Sequence, residues 1–209
     1  GSRMSDENVA SIRSSQTITA YSDFPVGLAI LPNDSSPLSH TVPMWYRPAT
    51  PLTRAFQQEL LPAPLTYLGN AISILVADGM AEGDPLQPIS MSRWKEQVRM
   101  LDTMSDGRIK LRHERTTSMA ALRRLLVAGE YQVLIINAHG SKRGTQTGVW
   151  LENDFITDLD APLPPLVIFC SCGIWARAQG AVSIADLALR RGAVAVLGTL
   201  LPVDVRHNT

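Results

Sequence analysis

The chain has 209 residues, 45% hydrophobic and 18% charged, which is apolar enough for a sizeable core and excludes global disorder. Nineteen Lys and Arg balance nineteen Asp and Glu, so there is no general electrostatic case for binding nucleic acid or an anionic membrane. No apolar run approaches the roughly 20 residues that span a bilayer, and no basic-then-apolar signal opens the chain, so a soluble cytoplasmic protein is expected.

Gly1-Ser2-Arg3 before Met4 reads as a cloning scar and is left out of the fold reasoning. From Met4 to about Thr50 the sequence is polar, Pro-punctuated and weakly periodic, so residues 1–50 are read as a scar plus an N-terminal leader or extension. Within it, Val26 to Leu31 is expected to form a short strand. From Pro51 the pattern changes to alternating strands and helices. Ile72 to Ala77 is a β-branched strand. Ser90 to Leu101 carries Trp94, Val98 and Leu101 on one helical face, with Ser90 or Ser92 as N-cap. Ile109 to Glu114 alternates as a strand, and Thr116 to Ala128 is an amphipathic helix ended by Gly129 as a C′ glycine. Val133 to Ile136 and Leu166 to Phe169 are buried strands. Ser183 to Arg191 is a short helix closed by Gly192, and Ala193 to Leu197 is a last strand.

Apolar strands separated by amphipathic helices predict a mostly parallel sheet covered on both faces. Such sheets place their chemistry beyond the carboxyl ends of their strands. Three exits are therefore of interest: Asp78-Gly79, Asn137-Ala138-His139-Gly140 and Ser171-Cys172-Gly173. A cysteine nucleophile needs a nearby base, and an imidazole can be both that base and the acid for the leaving amine. Glycines beside the pair let backbone N–H groups turn toward an oxyanion.

Cys170 and Cys172 lie two apart on what reads as one strand face, so a disulfide between them would be strained. With no other cysteine there is no disulfide framework, which fits a reducing compartment. Sixteen of the nineteen cations are Arg, a bias read as compositional because no basic face is clustered. Zinc is not expected, since a Cys-Ser-Cys and a distant His lack four ligands at structural spacing. Gly140-Ser-Lys-Arg-Gly144 lacks the Gly-Lys-Ser/Thr of a phosphate loop. Trp94 is expected in the core, and Trp150 and Trp175 at the border of the cleft.

Tyr131 to Ser141, with its strand followed by His139-Gly140, resembles the first signature of the CHAT family of caspase-like cysteine peptidases (clan CD). Leu166 to Gly173 resembles the family's strand, small residue and Cys. Ile184 to Val203 resembles its helix, Gly-Ala, strand and closing Pro-Val. The resemblance covers roughly residues 51–203. It departs at Leu201, where the family usually has Trp.

The resemblance implies a caspase-like three-layer α/β/α sandwich with a mostly parallel sheet. Residues 51–209 would form the peptidase domain, lacking its C-terminal elements. It makes His139 the general base and acid, Cys172 rather than Cys170 the nucleophile, and the backbone N–H groups of Gly140 and Cys172 the oxyanion site. In relatives the loop after the first strand shapes the primary specificity pocket. Here that loop holds Asp78, Glu82 and Asp84, which would favour a basic residue before the cut. A solvated acidic turn or a helix-capping Asp is an equal reading of the same residues. The stretch from Glu152 and Asp154 to Asp158 and Asp160 is a competing source of negative charge.

The expected activity is that of a cofactor-free cysteine endopeptidase cleaving a protein partner, under a sensor module in bacterial defence or signalling. The early stop after Pro202-Val203 predicts a truncated chain, a cleavage product, or a second chain that completes the fold. The rivals are a catalytically silent scaffold for protein assembly and another doubly wound hydrolase or small-molecule-binding domain. The hydrolase lacks its Gly-x-Ser-x-Gly elbow.

Overall fold

The computed structural model describes residues 4–22, 25–47, 69, 71–175 and 183–199. They fall into two compact units, one within Gly1–Ala55 and one from Phe56 onward. The boundary expected at residues 50 and 51, and Leu201 with Pro202-Val203, lie outside the described residues.

In the first unit, α1 (Asp6–Ser14) is capped by Ser5, whose side chain accepts the Asn8 N–H, and opens with Asp6 and Glu7 at its positive end. Strands β1 (Ile18–Tyr21) and β2 (Met44–Arg47) pair in parallel, with α2 (Leu38–Thr41) just before β2. Val9, Leu31, Leu38 and Val42 form a small core, flanked by Ile12, Ile18 and Met44. The strand expected at Val26 to Leu31 is instead a 3-10 turn, Val26–Leu28. Tyr46 lies against Gly27: its hydroxyl takes the Gly27 N–H at 2.7 Å, and a Cβ there would sit 2.8 Å from that oxygen.

The second unit is α/β, with a parallel central sheet flanked by helices. Strands β3 (Ile72–Asp78), β4 (Ile109–Arg115), β5 (Val133–Asn137), β9 (Leu166–Cys170) and β10 (Ala195–Leu197) lie in the order β10-β9-β5-β3-β4. All four neighbouring pairs are parallel. Helices α3 (Gln87–Met104), α4 (Met119–Ala128) and α5 (Ile184–Arg190) connect them. An antiparallel sheet of β6 (His139–Arg143), β7 (Gln146–Leu151) and β8 (Asp154–Ile156) is inserted between β5 and β9.

Register puts Leu75, Leu134 and Val167 on one sheet face with Ala77, Ile136 and Phe169. They share a core with Leu122 and Leu126 of α4, Ile184 and Ala188 of α5, and Val149, Leu151 and Ile156 of the small sheet. Residues between them face the other way, toward α3: Trp94 stacks on His113, and Ser90 hydrogen-bonds Asn137. On β5 and β9 that second face is half-buried at Val133, Ile135, Leu166, Ile168 and Cys170 and fully buried at Asn137, so the described elements cover the two faces unequally.

Three local expectations change. Ser90 is no cap: α3 starts three residues earlier after Leu86, and Ser90 is buried inside the helix. Gly129 ends α4 with extended φ of −137°, not left-handed, and a Cβ there would lie 2.5 Å from the Tyr131 ring. Trp175 is buried in the main core rather than bordering a cleft. Gly192 does take the left-handed φ, +110°, just past α5. Among the described residues no helix is long and apolar enough to cross a membrane.

Candidate active site

The order of the sheet creates the site. From β3 the chain moves outward to β4, then crosses back to β5 on the other side of β3. The strand order therefore reverses between β3 and β5, and their exits meet at the carboxyl ends, where the Gly79 N–H donates to the Asn137 carbonyl at 2.8 Å. His139 leaves β5 one residue after Ala138 and begins β6. Its Nε2 lies 2.7 Å from Oδ2 of Asp84, which comes from the loop after β3. The imidazole is 45% exposed, the carboxylate only 16%. Burial by itself would raise the Asp84 carboxyl. The Leu86 N–H, at 2.8 Å from Oδ1, and then the hydrogen bond and charge of His139 outweigh it and hold the group below its ordinary 3.8.

Cys172 lies in the turn after β9, on the strand next to β5. A Cβ built on Gly140 would sit 1.9 Å from the Cys172 carbonyl oxygen and 2.9 Å from its nitrogen, so only glycine fits between the two chains. This close approach brings His139-Gly140 and Cys172 side by side at adjacent strand ends. Gly173 follows at φ +61°, a conformation that glycine adopts without strain. Its N–H is taken by Thr199 Oγ1 at 3.1 Å. Cys170 is still in β9, level with Asn137, and burial pushes its thiol up to about 11. Neither cysteine is in a disulfide.

Asp78 is the last residue of β3 and buried. Its Oδ1 accepts the Met80 N–H and the Asn137 Nδ2–H, each at 3.1 Å, and its Oδ2 lies 3.1 Å from His113 Nε2. Asn137 also donates to Ser90 Oγ at 2.7 Å. A carboxylate so engaged anchors the start of the loop that carries Asp84 and offers a substrate cation no vacant oxygen. Of the three carboxylates expected to bind substrate, Asp78 turns inward, Asp84 meets His139, and Glu82 is exposed beside Arg115 at 3.5 Å. Glu152 takes the same Arg115 at 2.6 Å, Asp158 pairs with Arg191, and Asp160 with Arg123 and Arg191. Glu152, Asp158 and Asp160 of the competing acidic stretch are thus paired with arginines.

Trp150 stands opposite His139 in the β6–β7 ladder and packs on Phe155 at 5.1 Å, with the Arg143 guanidinium 4.4 Å from its ring. Gly140 to Arg143 is a hairpin strand whose turn holds Gly144 at φ +59°, not a phosphate loop. Among the described residues, no three His, Cys, Asp or Glu are grouped to hold a metal ion.

Sequence reasoning named Asn137 only as part of a strand exit and Ser90 only as a cap, and gave His113 and Thr199 no role. Asn137 carried a signal, being a polar residue that ends an apolar strand. Thr199 would have surfaced had the strand-exit rule been applied to the last strand too. Compared with protein-family models, with curated proteins and with solved structures, the chain has no match.

Proposed function

We propose that the parallel-sheet unit is a caspase-like cysteine endopeptidase domain of the CHAT type, with His139 and Cys172 as its dyad. The observation that carries this reading is the approach of Gly140 to the Cys172 backbone, which joins the two strand exits. Asp84 adds to it by holding one imidazole nitrogen. A carboxylate only accepts hydrogen bonds, so Nε2 of the neutral ring carries its proton toward Asp84, and Nδ1 is left to serve the thiol.

The chemistry is acyl transfer. The Cys172 thiol gives its proton to His139 Nδ1, and the sulfur attacks the scissile carbonyl carbon. As the resemblance implies, the N–H groups of Gly140 and Cys172 meet the oxyanion. The imidazolium returns the proton to the leaving amine as the C–N bond breaks, leaving a thioester. A water then gives a proton to His139, attacks the thioester carbon and releases the acid, and the thiol is restored.

The substrate in this reading is a protein partner, and a sensor module in bacterial defence or signalling is the controlling element. A preference for a basic residue before the cut is weakened, because Asp78 and Asp84 are engaged within the chain and Glu82 lies 3.5 Å from Arg115. The test is site-resolved alkylation of the native protein with limiting reagent, read by mass spectrometry. Fast labelling of Cys172 that is lost in His139→Ala supports the dyad, and Cys172→Ala then abolishes cleavage. Slow, His139-independent labelling of both cysteines would favour the silent scaffold instead.

A further inference from the structure

Side chains from three elements hold the turn that carries Cys172. Thr147 on β7 and Ser183 before α5 both donate to the Ile174 carbonyl, at 2.9 and 2.8 Å, and both are buried. They anchor the far end of the turn. The end nearest the sulfur is held by Thr199, two residues beyond β10. Its hydroxyl donates to the Ser171 carbonyl at 2.8 Å and accepts the Gly173 N–H at 3.1 Å, so one oxygen grips the residues on either side of Cys172. Its carbonyl takes the Trp175 N–H at 3.3 Å.

Gly198 makes the approach possible, because a Cβ there would lie 2.3 Å from Ile174 Cδ1. The fit is thus built from both residues of the Gly198-Thr199 pair. Donating and accepting through one small atom is what a hydroxyl can do and a methyl cannot. Valine has the shape of threonine and neither capacity.

We propose that Thr199 is a positioning residue for the nucleophile: by bridging Ser171 and Gly173 it fixes the turn and the direction in which Cys172 presents its sulfur. The inference rests on the peptidase reading and deepens it. It ties the geometry of the site to the exit of β10, the edge strand of the described sheet, which is far in sequence from His139.

The experiment compares wild type, Thr199→Val, Thr199→Ala, Thr199→Ser and His139→Ala by iodoacetamide labelling at near-neutral pH, with melting temperature measured alongside. Cys170 serves as the internal reference, since its buried thiol reacts slowly there. Loss of the hydroxyl in Thr199→Val or Thr199→Ala lowers the Cys172 rate about 10- to 100-fold relative to Cys170. Thr199→Ser restores it to within about threefold. Thr199→Ala removes the hydroxyl without adding bulk and covers the case in which valine prevents folding.

Fast, His139-dependent labelling in wild type that survives in folded Thr199→Ala overturns the inference and leaves the peptidase reading intact. A serine variant as slow as the alanine one also overturns it, because the hydroxyl would then not be what acts. Equal, His139-independent labelling of both cysteines in wild type overturns the peptidase reading, and the inference with it.

Discussion

Asp84 sits where a charge is worth most to His139: largely shielded, 2.7 Å away, and itself held by a backbone N–H. Asp84→Asn keeps the shape of the pair, loses the charge, and allows the amide to donate to the ring, which favours the wrong tautomer. Cys172 labelling should fall by roughly 10²- to 10⁴-fold while the fold is kept. The pH dependence has a definite sign. The folded carboxyl lies below its ordinary 3.8, so its contribution to stability is complete above that value and is lost as pH falls through the lower, folded one. The melting-temperature gap between wild type and Asp84→Asn should be constant near neutrality and close in strong acid. A gap that widens in acid would refute the pairing.

Ser171, beside Cys172, gives the opposite prediction. Its hydroxyl oxygen is buried and finds no hydrogen-bond partner among the described residues, and the residue is 2% exposed. A buried polar atom left unpaired costs about 1–3 kcal/mol. Ser171→Ala should therefore be neutral or stabilising by about 1 kcal/mol in urea unfolding, whereas an ordinary buried Ser→Ala change destabilises.

At the scale of elements, the site depends on how closely β6 can pass the turn after β9. Gly140→Ala sets a methyl 1.9 Å from the Cys172 carbonyl oxygen, and both neighbours are backbone, so neither can swing aside. The turn must move. An overpacking cost of about 1–3 kcal/mol is expected in chemical denaturation, together with a loss of Cys172 labelling larger than that destabilisation accounts for. Labelling that kept pace with wild type would mean that the two exits act separately. The junction of β3, β4 and β5 is braced in the same spirit. Asp78, His113, Asn137 and Ser90 tie the three strands to α3 through charged and polar groups that are almost all buried. An apolar strand end needs no such bracing; a loop that must present Asp84 to His139 does.

At the scale of the whole molecule, two units each carry their own core, and the close arginine ion pairs lie on the outside. Arg13–Asp34, Arg112–Glu114, Arg115–Glu152 and Arg191–Asp158 are close pairs whose arginines are about half exposed. Such pairs are worth little each and are screened by salt. With balanced net charge as well, the melting temperature should change by less than about 3 °C between about 0.05 and 0.5 M salt. A larger fall would show that these pairs act as a network.

The central strands, the helices between them and the parallel sheet were legible from local pattern, as in Ile72 to Ala77, Val133 to Ile136 and Leu166 to Phe169, whereas α1, α2, β1, β2 and the β6–β8 sheet were not. The strand-exit rule then singled out His139 and Cys172. What the sequence determined by itself was thus the scaffold and where on it to look. Which groups pair across the site was decided by tertiary structure. Asp84 reaches His139 over 55 residues, Asn137 reaches Asp78 over 59, and Thr199 reaches Ser171 over 28. The physical reason is that a carboxylate or hydroxyl carries no local mark of its partner. Strand order and register bring distant groups within about 3.1 Å, and only there does Asp84 become a partner for histidine rather than for a substrate cation, and Thr199 a clasp on the turn that carries Cys172.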